Sequence, residues 1–252
     1  MKRPQMVLFD YGNTIIEETI LGFDKGNEVL LSLAVGNPEH ITIETFQRKL
    51  NEIIFGMSDK MGCQNRFYQP YEIRWQSVYR YACEYFGLTF GHSYEALEKI
   101  YWDAATSAKP AVHIQELLTF LHEQHIRTGV VSNLMLSTET LRTRIQRLLP
   151  EHHFEFIMAS SDYVFRKPEK AFFELALKKA GLSAEAVWFC GDNPICDIEG
   201  AVRTGLQPVW YRKTFKETAD LMMKLPPDQY LTVNDWSELI EIIRQRGADN
   251  DV

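Results

Sequence analysis

The apolar positions of this chain change rhythm along its length. It opens on Met6-Val7-Leu8-Phe9, an unbroken apolar run ending at Asp10. A short run of this kind bounded by polar residues predicts a strand buried on both faces. From about Glu17 to Trp102 the spacing is helical. Leu30, Leu31 and Leu33 form one patch; Phe46, Leu50, Ile53 and Ile54 a second; Ile73, Val78, Tyr79 and Tyr81 a third; Tyr94, Leu97, Ile100 and Tyr101 a fourth. No strand is predicted in this stretch.

Beyond it, helices and strands alternate. Ile114, Leu117, Leu118 and Leu121 mark an amphipathic helix, and Thr128–Val131 a strand ending at Ser132-Asn133. Leu141, Ile145, Leu148 and Leu149 give a helix, Phe154–Met158 a strand, and Phe172, Phe173, Leu175, Ala176 and Leu177 a helix. Val187–Cys190 is a strand ending at Gly191-Asp192, and Gln207–Tyr211 another. Tyr230–Val233 and the helix of Trp236, Leu239, Ile240 and Ile243 close the pattern. Such alternation predicts an α/β fold with a doubly wound parallel sheet. Sheets of this type bind ligands at the carboxyl ends of their strands, where Asp10, Ser132-Asn133 and Asp192 gather. The helical stretch then reads as a cap inserted over those ends. The expected division is a core of residues 1–16 and 106–247, a cap of 17–105 and a tail of 248–252.

Composition narrows the field of functions. The chain has 252 residues, 45% of them apolar and 24% charged, which excludes a disordered or fibrous protein. A net charge of −7 without a basic run argues against nucleic acid as the main partner. Met6–Phe9 is too short for a signal peptide, and no run has the length of a membrane span. A cytoplasmic protein is expected. Cys63, Cys83, Cys190 and Cys196 form no close Cys-x-x-Cys pair, so zinc is not expected, and unpaired thiols suit a reducing compartment.

Four segments carry the candidate chemistry: Phe9-Asp10-Tyr11-Gly12-Asn13-Thr14, Val131-Ser132-Asn133, Arg166-Lys167-Pro168 and Gly191-Asp192-Asn193-Pro194-Ile195-Cys196-Asp197. Asp10 and Asp192 can hold a hard cation through oxygen, with Asp197 helping directly or through water. Ser132 and Lys167 can hold a phosphate by hydrogen bond and charge. Gly12 lets the backbone approach a ligand closely. A cation, a carboxylate nucleophile and phosphate donors together describe phosphoryl transfer.

In their order and spacing these segments resemble the haloacid dehalogenase superfamily, in the branch with a helical cap inserted after the first strand. The resemblance covers essentially the whole chain. It implies that Asp10 is a nucleophile forming an aspartyl-phosphate. It also implies that Thr14, Ser132 and the neighbouring Asn133 serve the phosphate, and that Lys167 bridges the charges of nucleophile and phosphate. Magnesium would be held by Asp10, the Gly12 carbonyl and Asp192, with Asp197 as a further ligand or support. The substrate class implied is a small phosphorylated metabolite.

Two positions depart from the family pattern. The residue two after the nucleophile, usually an aspartate that protonates the leaving group, is Gly12, and the next, usually glycine, is Asn13. Loss of a general acid–base costs about 10²–10⁴-fold in rate. Glu17 and Glu18 are the nearest substitutes in sequence, and an ordinary solvated pair is the plainer reading of them. Tyr11 is not expected to replace the acid, because neighbours in an extended segment point to opposite sides. Three readings follow: a phosphatase with another acid or an undemanding leaving group; a carbon–halogen or phosphonate hydrolase, the latter drawing on Lys25, Lys49, Lys60 or Lys99; or a non-catalytic binder of phosphorylated ligands or partners. Retention of Asp192 and Asp197 disfavours a dehalogenase, which has no need of magnesium.

In the cap, Phe55, Phe67, Tyr68, Tyr71, Trp75, Tyr79, Tyr81, Tyr85 and Phe86 are expected mostly as its own core, with one or two facing the cleft. Arg66 and Arg74 are expected as exposed ion-pair partners or anion contacts. His152-His153 reads as a surface loop, and His113, His122 and His125 as the polar side of one helix.

Overall fold

A computed structural model describes residues 3–60, 69–212 and 222–248. The expectations placed on Cys63, Arg66, Phe67, Tyr68, the Lys60 side chain and residues 249–252 lie outside these. The chain runs β1 (Met6–Phe9), β2 (Ile16–Ile20), α1 (Phe23–Ser32), β3 (Ala34–Gly36), α2 (Ile43–Lys60), α3 (Trp75–Tyr85), β4 (Thr89–Phe90), α4 (Tyr94–Ala105) and β5 (Thr106–Pro110). It continues α5 (Ile114–Glu123), β6 (Arg127–Ser132), α6 (Thr138–Leu148), β7 (Phe154–Ala159), α7 (Lys170–Ala180), β8 (Val187–Gly191), α8 (Gly200–Thr204), β9 (Gln207–Tyr211), β10 (Leu231–Val233) and α9 (Trp236–Ala248). Among the described residues no helix is long and apolar enough to cross a membrane.

Six strands form one parallel sheet in the order β10-β9-β8-β1-β6-β7. The order reverses at β1, whose Phe9 pairs with Val130 of β6 and Cys190 of β8. That reversal opens the crevice in which doubly wound sheets bind ligands. Alternation along β1 divides the core. Val7 and Phe9 face a cluster with Leu117, Leu121, Trp188, Leu239 and Ile243, which seats α5 and α9. Met6 and Leu8 face Phe172, Phe173, Phe189 and Ala201, which seats α7 and α8. Helices therefore cover both faces, as the unbroken apolar strands require.

Trp236 pins the segment that follows β1. It is fully buried, stacks on Tyr211 at 4.4 Å between centroids, meets Phe9 edge-on at 5.7 Å, and donates its indole N–H to the Thr14 carbonyl at 3.1 Å.

The inserted helices α1–α4 enter and leave through β2 and β5, which pair antiparallel from Ile16↔Pro110 to Ile20↔Thr106. This pair, together with β3–β4, corrects the expectation of a stretch without strands. Their sequences, Ile-Glu-Glu-Thr-Ile and Thr-Ser-Ala-Lys-Pro among them, are half-exposed and carry no apolar run, so the periodic signal was absent. Trp75, Tyr79, Tyr101 and Phe46 build the apolar interior between these helices, with Trp75 stacked on Tyr79 at 4.0 Å.

A buried carboxylate ties this helical layer to the sheet domain. Glu98 of α4 accepts hydrogen bonds from Gln76 at 3.1 Å, the Ser137 N–H at 2.9 Å, the Ser137 hydroxyl at 2.6 Å and the Thr140 hydroxyl at 2.8 Å. It thereby satisfies donors at the start of α6, where helix N–H groups lack partners. Glu72 makes a second tie, accepting from Ser160 at 2.7 Å and pairing with Arg166 at 3.4 Å.

Replacing Trp236 removes ring contacts on two sides and one hydrogen bond. Trp236→Ala is expected to cost about 3–5 kcal/mol and to lower the melting temperature by roughly 6–20 °C. A thermal melt within about two degrees of the parent would refute this role.

Candidate active site

The crevice at the β1 end holds a cleft of about 440 Å³, within the range of small-ligand sites. Its floor is built by the ends of three adjacent strands and by the loop carrying Lys167. Asp10 follows β1 and is fixed by its N–H, which donates to the Cys190 carbonyl at 2.8 Å. Ser132 ends β6 and donates to Asp10 Oδ1 at 2.9 Å. The buried Lys167 ammonium donates to the same Oδ1 at 2.7 Å and to Asp197 Oδ1 at 2.6 Å. Both contacts to Asp10 use one oxygen, which leaves Oδ2 toward the cleft chemistry.

Asn133 holds the lysine loop. Its side-chain oxygen accepts from the Lys167 N–H at 2.7 Å and its amide donates to the Lys167 carbonyl at 2.8 Å. These bonds use up much of its hydrogen-bonding capacity, although its side chain still lines the cleft. Thr14 is fully buried, its hydroxyl has no hydrogen-bond partner among the described residues, and it is not among the residues lining the cleft.

Asp192 and Asp197 come from the segment after β8. Asn193 caps a π-helical turn over Pro194–Glu199, accepting from the Ile195 and Cys196 N–H groups at 3.0 and 2.9 Å. The wider turn aims Asp197 back under the floor, where its Oδ2 accepts from the Asn193 N–H at 2.9 Å. Such turns recur at functional sites. Gly191 is required here, because a Cβ at that position would collide with the Asp197 side chain.

Oxygens of Asp10, Asp192 and Asp197 lie within 4.8 Å of one another. Three carboxylates thus face one ammonium. Burial pushes the Asp192 carboxyl well above its ordinary range, and the charges of Asp197 and Asp10 add to this. Burial raises Asp197 to about 6, with Lys167 opposing the rise and Asp10 adding to it. Lys167 loses charge stability through burial, but Asp10 and Asp197 outweigh that and raise its pKa. The donor set is all oxygen and carries excess negative charge, which fits a hard divalent cation such as magnesium.

The cleft wall includes one of the two carboxylates that the sequence offered as a substitute acid. Glu18 lines it; it is not part of a solvated pair, since its side chain is 18% exposed and its Oε1 lies 3.5 Å from Arg144. Glu17 pairs separately with Lys109 at 3.1 Å. The Tyr11 ring packs on Trp102 at 5.5 Å, and its hydroxyl donates to Glu18 at 3.1 Å. Arg144 reads as part of the polar side of α6, yet its side chain is 3% exposed and lies 4.2 Å over Trp102. No local signal marks a residue whose partners come from distant segments. Gly12 and Asn13 also line the cleft. Asn13 adopts φ 53°, a left-handed conformation that asparagine tolerates. A Cβ at Gly12 would meet nothing within 4 Å.

Of the described aromatics expected mostly as the core of the inserted layer, Trp75, Tyr79 and Phe86 are buried in its interior, and Phe55, Tyr71, Tyr81 and Tyr85 are exposed. None of these seven lines the cleft. Arg74 pairs with Asp162 at 3.4 Å. His113 pairs with Asp235 at 2.6 Å, tying α5 to α9, and His122 stacks on His153 at 3.7 Å. Cys83, Cys190 and Cys196 are buried.

Residues 7–211 match the haloacid dehalogenase-like hydrolase family. The chain belongs to that family. A glyceraldehyde 3-phosphate phosphatase of Pyrococcus furiosus is 31% identical over 110 residues, 43% of this chain and 45% of that protein. A second, from Methanocaldococcus jannaschii, is 26% identical over 144 residues, 56% of this chain and 59% of that protein. The chain therefore spans about half the length of the curated relatives it matches. The solved structure of a 2-haloacid dehalogenase from Pseudomonas syringae aligns at 21% identity with a TM-score of 0.65, covering 96% of this chain and 99% of that one. This haloacid dehalogenase-like chain thus shares its fold with a dehalogenase and is similar in sequence to two phosphatases.

The charge imbalance generates a prediction. The folded chain holds the Asp192 and Asp197 protons more tightly than the unfolded chain does. Metal-free stability should therefore fall as pH rises from the ordinary value of 3.8 through about 6, and magnesium should flatten that fall. Asp192→Asn removes one repelled charge. Its metal-free melting temperature at pH 7 is expected to equal or exceed the parent's by a few degrees, while the magnesium-induced shift disappears. Thermal melts with and without magnesium check both; a retained magnesium shift would remove Asp192 from the cation site.

Proposed function

We propose that this chain is a magnesium-dependent phosphatase acting on a small phosphorylated metabolite through an aspartyl-phosphate on Asp10. The observation that carries this reading is the convergence on Asp10 of Lys167 at 2.7 Å, Ser132 at 2.9 Å and two further carboxylates able to share a cation. The phosphatase names of the sequence relatives support the substrate class.

In this reading Asp10 attacks phosphorus through Oδ2, since Oδ1 is held by two donors. Lys167 and Ser132 can turn the same donors toward the phosphoryl oxygens as negative charge builds there, a preorganised arrangement that needs little reorganisation. Asn133 keeps Lys167 in position through its backbone. Asp197 positions Lys167 from the other side and holds the turn carrying Asp192. Magnesium bound by Asp10, the Gly12 carbonyl and Asp192, with Asp197 in support, would neutralise phosphoryl charge. The cluster of three carboxylates at this site also argues against the dehalogenase reading, since attack on carbon gives no use to a set of cation ligands around the nucleophile.

Phosphate release from acetyl phosphate and p-nitrophenyl phosphate tests the proposal. Release is expected to require magnesium, and Asp10→Asn is expected to reduce it by at least about 10³-fold. Turnover that persists without magnesium or in Asp10→Asn would refute it.

A further inference from the structure

Gly12 leaves the proposed reaction without a proton donor two residues after the nucleophile, and the cleft contains a carboxylate that the cation cluster does not use. Asp10, Glu18, Asp192 and Asp197 line the cleft. The first and last two form the cation cluster, and Glu18 stands apart from it.

Glu18 is held by a rigid element. Its backbone sits in β2, in register with Ala108 of β5. The Tyr11 hydroxyl donates to its Oε1 at 3.1 Å, and Arg144 lies 3.5 Å from that same oxygen. Oε1 is therefore the anchored oxygen, and Oε2 is left to carry a proton. The charged and titratable groups around it are Tyr11, Arg144 and Asp10; the Lys109 of neighbouring β5 is engaged by Glu17. Burial raises the Glu18 pKa, Arg144 and Tyr11 oppose this, and the Asp10 charge adds to it, for a net rise. That direction favours the protonated carboxyl, the form from which a general acid acts.

We propose that Glu18 is the general acid and base of this active site, serving from β2 the role that a side chain at position 12 would serve. The proposal rests on the phosphatase reading above. In the first step an Asp10 oxygen bonds to phosphorus and the bond from phosphorus to the leaving oxygen breaks. Its electron pair stays on that oxygen, which takes the Glu18 proton and departs as an alcohol. Glu18 is left as the carboxylate. In the second step water bonds to phosphorus and gives a proton to Glu18. The phosphorus–Asp10 bond breaks, its electron pair restores the Asp10 carboxylate, and inorganic phosphate leaves.

The test compares leaving groups in a single turnover of the full chain with magnesium. Phenyl phosphate releases a basic phenolate that needs a proton; acetyl phosphate releases acetate, which does not. In Glu18→Gln, first-turnover phenol release is expected to fall about 10²–10⁴-fold, while acetate release stays within about tenfold of the parent and phosphoenzyme accumulates. Acetate release by the same variant shows that it is folded. Glu18→Asp keeps a carboxyl and should recover part of the phenol release. An equal loss on both substrates in both variants, or no loss on either, overturns the role of Glu18. A parent that releases neither phenol nor acetate instead overturns the phosphatase reading itself.

Discussion

A lysine ammonium with almost no solvent exposure, donating to Asp10 and Asp197 at 2.7 and 2.6 Å, is the contact on which the site depends. Burying an ammonium without partners would be prohibitive, so Lys167 requires both carboxylates, and they require it. Meeting that requirement demands that the end of β1, the loop before α7 and the turn after β8 converge on one point. Asn133 holds the loop that carries Lys167, and Asn193 the turn that carries Asp197. The same arrangement leaves more negative than positive charge in the crevice, and that surplus is what equips it for a cation and a phosphate together.

Strand ends were legible from the chain because they obey a local rule. β1 and β8 are apolar runs, β6 and β9 end on shorter ones, and the polar residues at which β1, β6 and β8 stop, Asp10, Ser132 and Asp192, are those that reach the crevice. Resemblance to a family supplied roles for them. The β2–β5 pair was not legible, since its residues are half-exposed and its stability comes from pairing across the whole inserted layer. Arg144 escaped for a related reason, and Glu18 was reached only as one of two nearby candidates whose plainer reading was a solvated pair. Each reads as an ordinary polar residue on an amphipathic element, and only tertiary packing under Trp102 and Tyr11 removes them from water. Trp236 likewise reads as one more apolar helix position, though it fastens the segment after the nucleophile strand.

The inserted layer and the sheet domain are joined by buried polar contacts rather than by apolar surface alone. Glu98 satisfies the start of α6, and Glu72 reaches Ser160 and Arg166 beside the lysine loop. Separating the layers there would break these hydrogen bonds and the Glu72–Arg166 ion pair together.

The empty space around Gly12 shifts the constraint on that position from shape to charge. Because a side-chain carbon there would meet no neighbour within 4 Å, packing does not dictate glycine. A further carboxylate at this position would add charge to a crevice already lined by Asp10, Glu18, Asp192 and Asp197. Burial makes each added like charge costlier, so the crevice admits a larger residue 12 by its space and resists an acidic one by its charge.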